Sequence, residues 1–165
     1  GELIEVSIRV AREMCALAGV DRDPARAIAD GSAVAKFDAL LSAQGGRLEE
    51  GLPVAPVQAA LAAPAEGYVE AIDALEVGLA CLELGAGRLR KEDSIDPAAG
   101  VVIEVPVGTY VRAGDALAVI HARDEERVER AAPRLAAAWR IVPHEMERPP
   151  HVIARVDSKG VTRFK

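Results

Sequence analysis

A short run of glycines and cations, Gly85-Ala86-Gly87-Arg88-Leu89-Arg90-Lys91, has residue types that can bind an anion. The glycines allow the backbone to approach a ligand or another domain closely, and the cations can pair with a phosphate or a carboxylate. The run is not a dinucleotide-binding or P-loop fingerprint, because it follows a predicted helix and lacks the required glycine spacing. The alternative to a binding loop is that the glycines only end the preceding helix and that the cations lie in a turn exposed to solvent. The candidate site residues are Gly85, Gly87, Arg88, Arg90 and Lys91.

Other residue types with catalytic or metal-binding potential are not arranged for that chemistry. The histidines lack the spacing of metal ligands, no second cysteine lies near either cysteine, and the serines lack the surroundings of an activated nucleophile. These observations argue against a metal centre and against covalent catalysis. His121 is predicted to be a structural residue at the end of a strand, and the acids at 124–126 predict the start of a helix. The residues considered for metal binding are His121, His144, His151, Cys15 and Cys81.

The composition bounds the kind of protein. Half of the 165 residues are hydrophobic but only 3% are aromatic, so we expect a core of small aliphatic side chains. A net charge of −6 argues against a nucleic-acid partner, which would favour a basic surface. No apolar run is long enough to span a bilayer, and two distant cysteines favour reduced, buried thiols, so we expect a cytoplasmic protein without a membrane partner.

Periodicity and capping residues predict the helices. Apolar spacing predicts a helix from Glu2 to Leu17, ended by Gly19, and Asp23 is placed to cap a short helix that starts at Pro24. The chain begins at a glycine with this helical pattern under way, so we expect a truncation, a processing site or another boundary there. Further helices are predicted over 33–43, 74–84 and 125–138, and Pro133 should kink or split the last of them.

Alternation of apolar and polar residues predicts a strand that follows a turn at 66–69 and runs to Ile72. It also predicts strands over 101–107, 116–120, 139–142 and 152–156. Prolines between 47 and 64 predict a linker that packs along a surface, with Val57 to Leu61 as an edge strand. The predicted division is a helical segment at 1–46, a linker at 47–65, a second domain at 66–157 and a mobile tail at 158–165.

Several motifs occur together in an order that resembles a known family. Ser94-Ile95-Asp96 follows Leu84-Gly85-Ala86-Gly87-Arg88, and Val107-Gly108 and the run of residues 118–125, AVIHARDE, lie downstream. Upstream, the helix over 33–43 ends in Ala43-Gln44-Gly45-Gly46. In this order and spacing the motifs resemble the C-terminal domain of the pyrimidine-nucleoside and thymidine phosphorylases. The resemblance covers nearly the whole chain, but much less than half of such an enzyme.

The resemblance implies an α+β fold, with a helical remnant of a preceding catalytic domain followed by a small domain that resembles a barrel-sandwich. It implies a parent enzyme that uses inorganic phosphate as co-substrate, and no cofactor, to split pyrimidine nucleosides such as thymidine or uridine. Its partners would be its own N-terminal and central domains and a second copy in a homodimer. The family's catalytic motifs have no match here, so no catalytic residue is assigned and the fragment alone is expected to be inactive.

The resemblance also gives the candidate loop a role. In such phosphorylases the equivalent loop faces the active-site cleft and helps to hold the closed form, with Arg88 as the main expected contributor here. The preferred nucleoside stays open, and nucleotide phosphorylases of archaeal type share this domain.

A different class of function is a stand-alone barrel-sandwich module that binds or carries a ligand. Biotinyl and lipoyl carriers need a modifiable lysine at the tip of a tight hairpin. Lys91 and Lys159 are the only internal lysines after residue 66, and neither is expected in that setting. A free-standing regulatory or interaction domain is a third possibility, which differs from the fragment only in what the gene encodes upstream.

Overall fold

The computed structural model of the protein describes residues 2–49, 51–88, 90–148 and 150–164. Five helices and eight strands lie in this part of the chain, and the helices and strands confirm the predicted α+β class. In chain order they are α1 (Glu2–Leu17), α2 (Pro24–Ala29), α3 (Ser32–Ala43), β1 (Val57–Ala62), β2 (Gly67–Ile72), α4 (Ala74–Leu84), β3 (Gly100–Ile103), β4 (Tyr110–Val111), β5 (Ala116–Ala122), α5 (Glu125–Ala138), β6 (Trp139–Val142), β7 (Ala154–Asp157) and β8 (Gly160–Arg163).

Aspartate caps begin three of the helices. Asp23 accepts a hydrogen bond from the Ala25 amide at the start of α2, and Pro24 occupies the first helical position, as predicted. Asp73 accepts from the amides of Leu75 and Glu76 at 2.9 and 3.2 Å, and Asp124 begins α5. The sequence prediction of α1, α4 and α5 agrees with the structure at both ends of each helix.

Two compact units divide the chain: one contains Gly1–Gly51 with Pro150–Lys165, and the other contains Leu52–Pro149. The predicted boundaries differ from this division at both ends of the second domain, because residues 150–157 belong to the first unit and residues 52–65 to the second. Leu61 and Ala63 are buried in its core, and the Ala63 amide donates to the Asp115 carbonyl at 2.8 Å. The assignment of residues 1–46 to a preceding catalytic domain stays a prediction.

The second unit contains two antiparallel three-stranded sheets, in the strand orders β1-β5-β3 and β4-β2-β6, and its described residues form no closed barrel. β1 is an edge strand, as predicted for Val57 to Leu61. β3 ends at Ile103, earlier than predicted, because the amides of Glu104 and Val105 both donate to one carbonyl, that of Leu117. Pro106 then lacks an amide to continue the ladder.

Small aliphatic side chains fill the core of this unit, as the composition predicted. α5 packs against α4 and against β1 and β5, so the helices cover one side of the β1-β5-β3 sheet. The core includes the fully buried residues Val69, Ala80, Leu84, Leu117, Ala118, Ile120, Ala122, Ala131 and Leu135.

α5 continues through Pro133, so the predicted split of this helix is wrong. Proline removes one helical hydrogen bond and would leave the carbonyl of Glu129 without its usual donor. Glu129 and Pro133 are both exposed, so water can satisfy that carbonyl. Ala131, Leu135 and Ala138 are buried on either side of the proline, and this burial holds one continuous helix on the core.

The C-terminal residues of the first unit include a hairpin, whose second strand lies in the segment predicted to be a tail. β7 and β8 pair antiparallel from Ala154↔Arg163 to Asp157↔Gly160, and the Lys159 amide donates to the Asp157 carboxylate at 2.8 Å. β7 begins at Ala154, two residues after the predicted start of its strand. The predicted tail over 158–165 thus contains a paired strand, its mobility stays a prediction, and residue 165 lies outside the described part.

Candidate functional site

The candidate loop begins at the C-terminus of α4, where Gly85 adopts the left-handed conformation, with φ of 104°. The Gly85 amide donates to the Leu82 carbonyl at 3.1 Å and the Ala86 amide to the Cys81 carbonyl at 2.9 Å. These bonds satisfy carbonyls that the last turn of a helix otherwise leaves unpaired. A Cβ at position 85 would overlap only the end of the flexible Arg127 side chain, so the positive φ is the feature that favours glycine here.

Gly87 approaches its own helix. A Cβ at this position would overlap the Leu82 side chain, and Gly87 is half-buried. The positive φ of Gly85 and the packing of Gly87 therefore explain both predicted glycines within the second unit, as in the alternative that they only end the preceding helix. The predicted approach of a ligand to these glycines stays a prediction.

The loop returns to its starting point at Asp96, whose amide donates to the Gly85 carbonyl at 2.9 Å. Between these ends, Arg90 and Asp93 form a tight turn: the Arg90 amide donates to the Asp93 carboxylate at 2.8 Å, and the Asp93 amide donates to the Arg90 carbonyl at 3.1 Å. A surface loop with joined ends is held in place without a sheet or helix of its own. We call residues 85–96 the basic loop.

The three predicted cations of the basic loop, Arg88, Arg90 and Lys91, are exposed. Among the described residues, their side chains make no hydrogen bond or ion pair with the protein. Leu89, between two of them, lies outside the described residues. Asp96, the acid at the end of the loop, pairs with Arg123, with 3.5 Å between Nε and Oδ2.

Sequence reasoning missed the arginines of α5, which hold the end of α4. Arg134 donates to Glu83 Oε1 at 2.9 Å and to Glu76 Oε2 at 2.5 Å. The pKa of Arg134 is raised, chiefly by its hydrogen bond to Glu76 and next by that to Glu83. Arg127 donates to the Leu84 carbonyl at 2.9 Å. The spacing of these arginines along α5 at one helical face was the available signal, but the sequence does not say which helix they meet.

The residues considered for metal binding lie in several elements: Cys15, Cys81 and His121 in α1, α4 and β5, and His144 and His151 between β6 and β7. Within the described ranges no group of three or more His, Cys, Asp or Glu side chains is placed to hold a metal ion. His121 is half-buried in β5, which confirms its predicted position in a strand. Both cysteines are free and half-buried, less buried than predicted, and desolvation raises the pKa of Cys81 despite a hydrogen bond from the Val101 amide. None of the described helices combines the length and the apolar character needed to cross a bilayer.

The lysines correct one expectation about the carrier alternative. Lys159 lies in the turn between β7 and β8, so a lysine does occupy a hairpin tip. That hairpin is a two-stranded sheet of the first unit. In the second unit the turn between β4 and β5 carries Arg112 to Asp115 and no lysine.

The second unit, with its two sheets and the basic loop, contains the segment that matches a known family. Residues 68–142 match the family model described as "Pyrimidine nucleoside phosphorylase C-terminal domain". The match runs from β2 to the end of β6 and includes the basic loop. The chain therefore contains a pyrimidine nucleoside phosphorylase C-terminal domain, which confirms the family resemblance.

Individual relatives extend the similarity beyond that domain. The chain is 36% identical over 156 residues to thymidine phosphorylase of Mycobacterium tuberculosis, in a match that covers 94% of this chain and 36% of the relative. It is 36% identical to thymidine phosphorylase of Mesorhizobium japonicum, over 84% of this chain and 35% of the relative, and 31% identical to that of Rhizobium meliloti, over 93% and 38%. The chain thus spans little more than a third of these curated relatives.

Proposed function

We propose that this chain is the C-terminal part of a pyrimidine-nucleoside phosphorylase that acts on thymidine or uridine. The observation that carries the proposal is the similarity over 94% of the chain to a protein named thymidine phosphorylase, of which the chain covers only 36%. This similarity covers almost the entire chain, so it includes the helical residues that precede the matched domain. It is therefore not confined to the single domain of residues 68–142.

The reaction proposed for the whole protein is a pentosyl transfer. An oxygen of inorganic phosphate bonds to the anomeric carbon of the nucleoside while the bond from that carbon to the base nitrogen breaks. The nitrogen keeps the electron pair and takes up a proton, which balances the proton that the phosphate loses, and the products are a free base and a pentose 1-phosphate. Catalysis of this kind depends on positioning the phosphate and on stabilising the charge of the departing base. The groups that do so lie outside this chain, which is inactive alone.

In this proposal the second unit forms a wall of the active-site cleft, and the basic loop closes that cleft. The exposure of Arg88, Arg90 and Lys91, without protein partners among the described residues, supports this role. A cluster of such cations raises the local concentration of an anion such as phosphate. In a chain with a net charge of −6, three cations within residues 88–91 support a binding role for this part of the loop.

A stripe of exposed apolar residues on α1 supports the proposal that the chain packs against further domains of the same protein. Leu3 and Leu17 are 80% and 84% exposed, and Val10 and Met14 lie on the same face. A helix face of this kind is a surface for packing. We propose the N-terminal and central domains of the parent enzyme as partners, together with a homodimeric, cytoplasmic assembly.

The test is an assay of the native protein. Antibodies against this chain should detect and capture, from the cytosolic fraction of the source cells, a polypeptide of about the length of the thymidine phosphorylase relatives. That protein should release thymine from thymidine, or uracil from uridine, only when inorganic phosphate is present. The recombinant 165-residue chain, as control, should release neither base. A captured protein that releases no pyrimidine base under these conditions would contradict the proposed function.

The loop cations give a sharper prediction. Arg88→Gln in the full-length enzyme should raise the KM for phosphate about threefold to tenfold, because an exposed cation contributes a modest, salt-dependent attraction to the anion. The effect should shrink at high ionic strength. Arg112→Gln is the matched control, since Arg112 is an exposed arginine of a turn in the same unit. Equal KM values for both variants would contradict the role of the loop in the cleft.

The carrier module remains a second candidate because Lys159 occupies a hairpin tip. It predicts a mass increase from biotin or lipoate on Lys159 or Lys91 of the native protein. Mass spectrometry of the captured protein measures this directly, and unmodified lysines in a protein that performs phosphorolysis would exclude it.

A further inference from the structure

We infer that Arg127 is a positioning residue that holds the two ends of the basic loop, at residues 84–85 and 96, which we call its neck. It does so as part of a cluster of Asp96, Arg123, Asp124 and Arg127, which we call the neck cluster. The inference that the neck is held concerns the second unit alone. Its consequence for substrate binding rests on the proposed function, in which the basic loop closes the cleft.

Arg127 grips the outgoing end of the loop. Its Nη1 donates to the Leu84 carbonyl at 2.9 Å. Leu84 is the last residue of α4 and directly precedes Gly85. Helix C-termini carry unpaired carbonyls and partial negative charge, so a guanidinium there is favourable. Asp124 orients Arg127, because one carboxylate oxygen accepts from the Arg127 amide at 2.9 Å and the other lies 3.5 Å from Nε.

The returning end of the loop is held at the same place. The Asp96 amide donates to the Gly85 carbonyl, and Arg123 Nε lies 3.5 Å from Asp96 Oδ2. The Asp96 side chain is only 17% exposed and also accepts a hydrogen bond from the Ala98 amide. Because Arg123 and Asp124 are adjacent at the junction of β5 and α5, one short segment fixes both ends of the loop.

Arg130 provides a matched comparison on the same helix. Its Nη2 donates to the Glu83 carbonyl at 3.2 Å, one residue before the end of α4. Its side chain is half exposed, and its acidic partner, Glu126, is highly exposed, with 3.7 Å between the charged atoms. Arg127 is less exposed, at 31%, and lies directly against Gly85. Replacing either arginine by glutamine removes one positive charge from α5. A larger effect at Arg127 than at Arg130 would therefore show that Arg127 holds the loop neck, and does more than link α5 to α4.

The first experiment is native-state cleavage of the 165-residue chain by a lysine-specific endoprotease. The bonds that it can cut follow Lys36, Lys91 and Lys159, and substitution of arginine by glutamine creates and removes none of these sites. Arg127→Lys adds one site, within α5, whose products are distinguished by their mass. Cleavage after Lys91 reports opening of the basic loop, and cleavage after Lys159 in the other unit serves as the internal reference. When opening is fast, the cleavage rate follows the population of the open form.

Arg127→Gln should raise the rate of cleavage after Lys91, relative to Lys159, by about tenfold, because a hydrogen bond from a charged group to the loop neck is lost. Arg130→Gln should change it less than about twofold, since its contact is more exposed. Arg127→Lys should fall between the two, because an ammonium lacks the planar fork that reaches the Leu84 carbonyl and Asp124 together. Equal rates for Arg127→Gln and Arg130→Gln would overturn the inference.

The second experiment measures phosphorolysis by the full-length protein with the same substitutions. Arg127→Gln should raise the KM for phosphate about threefold with little change in kcat, whereas a partly unfolded enzyme would lose kcat at constant KM. Faster cleavage with an unchanged KM would confirm the hold on the neck and overturn the role of the loop in the cleft. If the unsubstituted protein performs no phosphorolysis, the proposed function fails, and the cleavage rates still decide whether Arg127 holds the neck.

Discussion

Leu135→Ala is expected to lower the free energy of unfolding of the unit of residues 52–149 by about 3 kcal/mol. Leu135 is completely buried on α5, in one core cluster with Leu84 and Leu117. The substitution removes apolar contact area and leaves a cavity that a core of small, closely packed side chains cannot readily fill. Because domains of this size are stable by about 5–10 kcal/mol, the change should lower the melting temperature by about 15 °C.

Thermal and urea unfolding followed by circular dichroism measure this effect. Leu75→Ala is the matched control, since Leu75 lies near the start of α4 and is 69% exposed. The control should change the free energy of unfolding by less than about 0.5 kcal/mol. If Leu135→Ala were no more destabilising than Leu75→Ala, the placement of α5 against the core would be incorrect.

Gly67→Ala is expected to destabilise the same unit by about 2–3 kcal/mol, for reasons of backbone conformation and space. Gly67 begins β2 with φ of 150°, a conformation that alanine rarely adopts. A Cβ there would lie 2.5 Å from the Val142 carbonyl oxygen and 2.9 Å from the Ile141 side chain, both on the paired strand β6. The backbone oxygen cannot move away without disturbing the pairing of β2 with β6.

Gly114→Ala separates the two contributions. Gly114 also has a positive φ, of 90°, but lies in the turn between β4 and β5, where a Cβ would meet no atom within 4 Å. Only the conformational strain remains there, so we expect a loss of about 1 kcal/mol. Chemical unfolding of both variants measures the difference. A Gly67→Ala variant as stable as Gly114→Ala would show that β6 does not approach position 67 so closely.

Local signals in the sequence predicted most of the helices. Asp23, Asp73 and Asp124 each precede a helix and cap it, because a short acidic side chain satisfies the first amides wherever such a helix begins. The end of β2 at Ile72 and the end of β6 at Val142 were also predicted correctly. These signals depend on neighbours within a few residues, so they predict the bounds of helices and strands without knowledge of the tertiary contacts.

Predictions that depend on distant partners were less successful. Pro133 should interrupt a helix by itself, but burial of Leu135 and Ala138 on the core keeps α5 continuous. Residues 158–164 have the composition of a tail, and their pairing with β7 makes them a hairpin. In each case a contact formed by another element outweighs the local preference.

The candidate site likewise has local features that the sequence predicted and tertiary contacts that it did not. Its cations, its glycines and its place after α4 could be read from Gly85 to Lys91, because a glycine after a helix and a run of charges are local features. The sequence alone also determined the α+β class and the resemblance to the phosphorylase domain. Only the tertiary structure decided that Gly85 lies against Arg127, that Asp96 closes the loop, and that α5 grips the end of α4. These contacts join residues up to 51 positions apart, and such pairs are determined by the packing of whole elements, which short-range patterns do not encode.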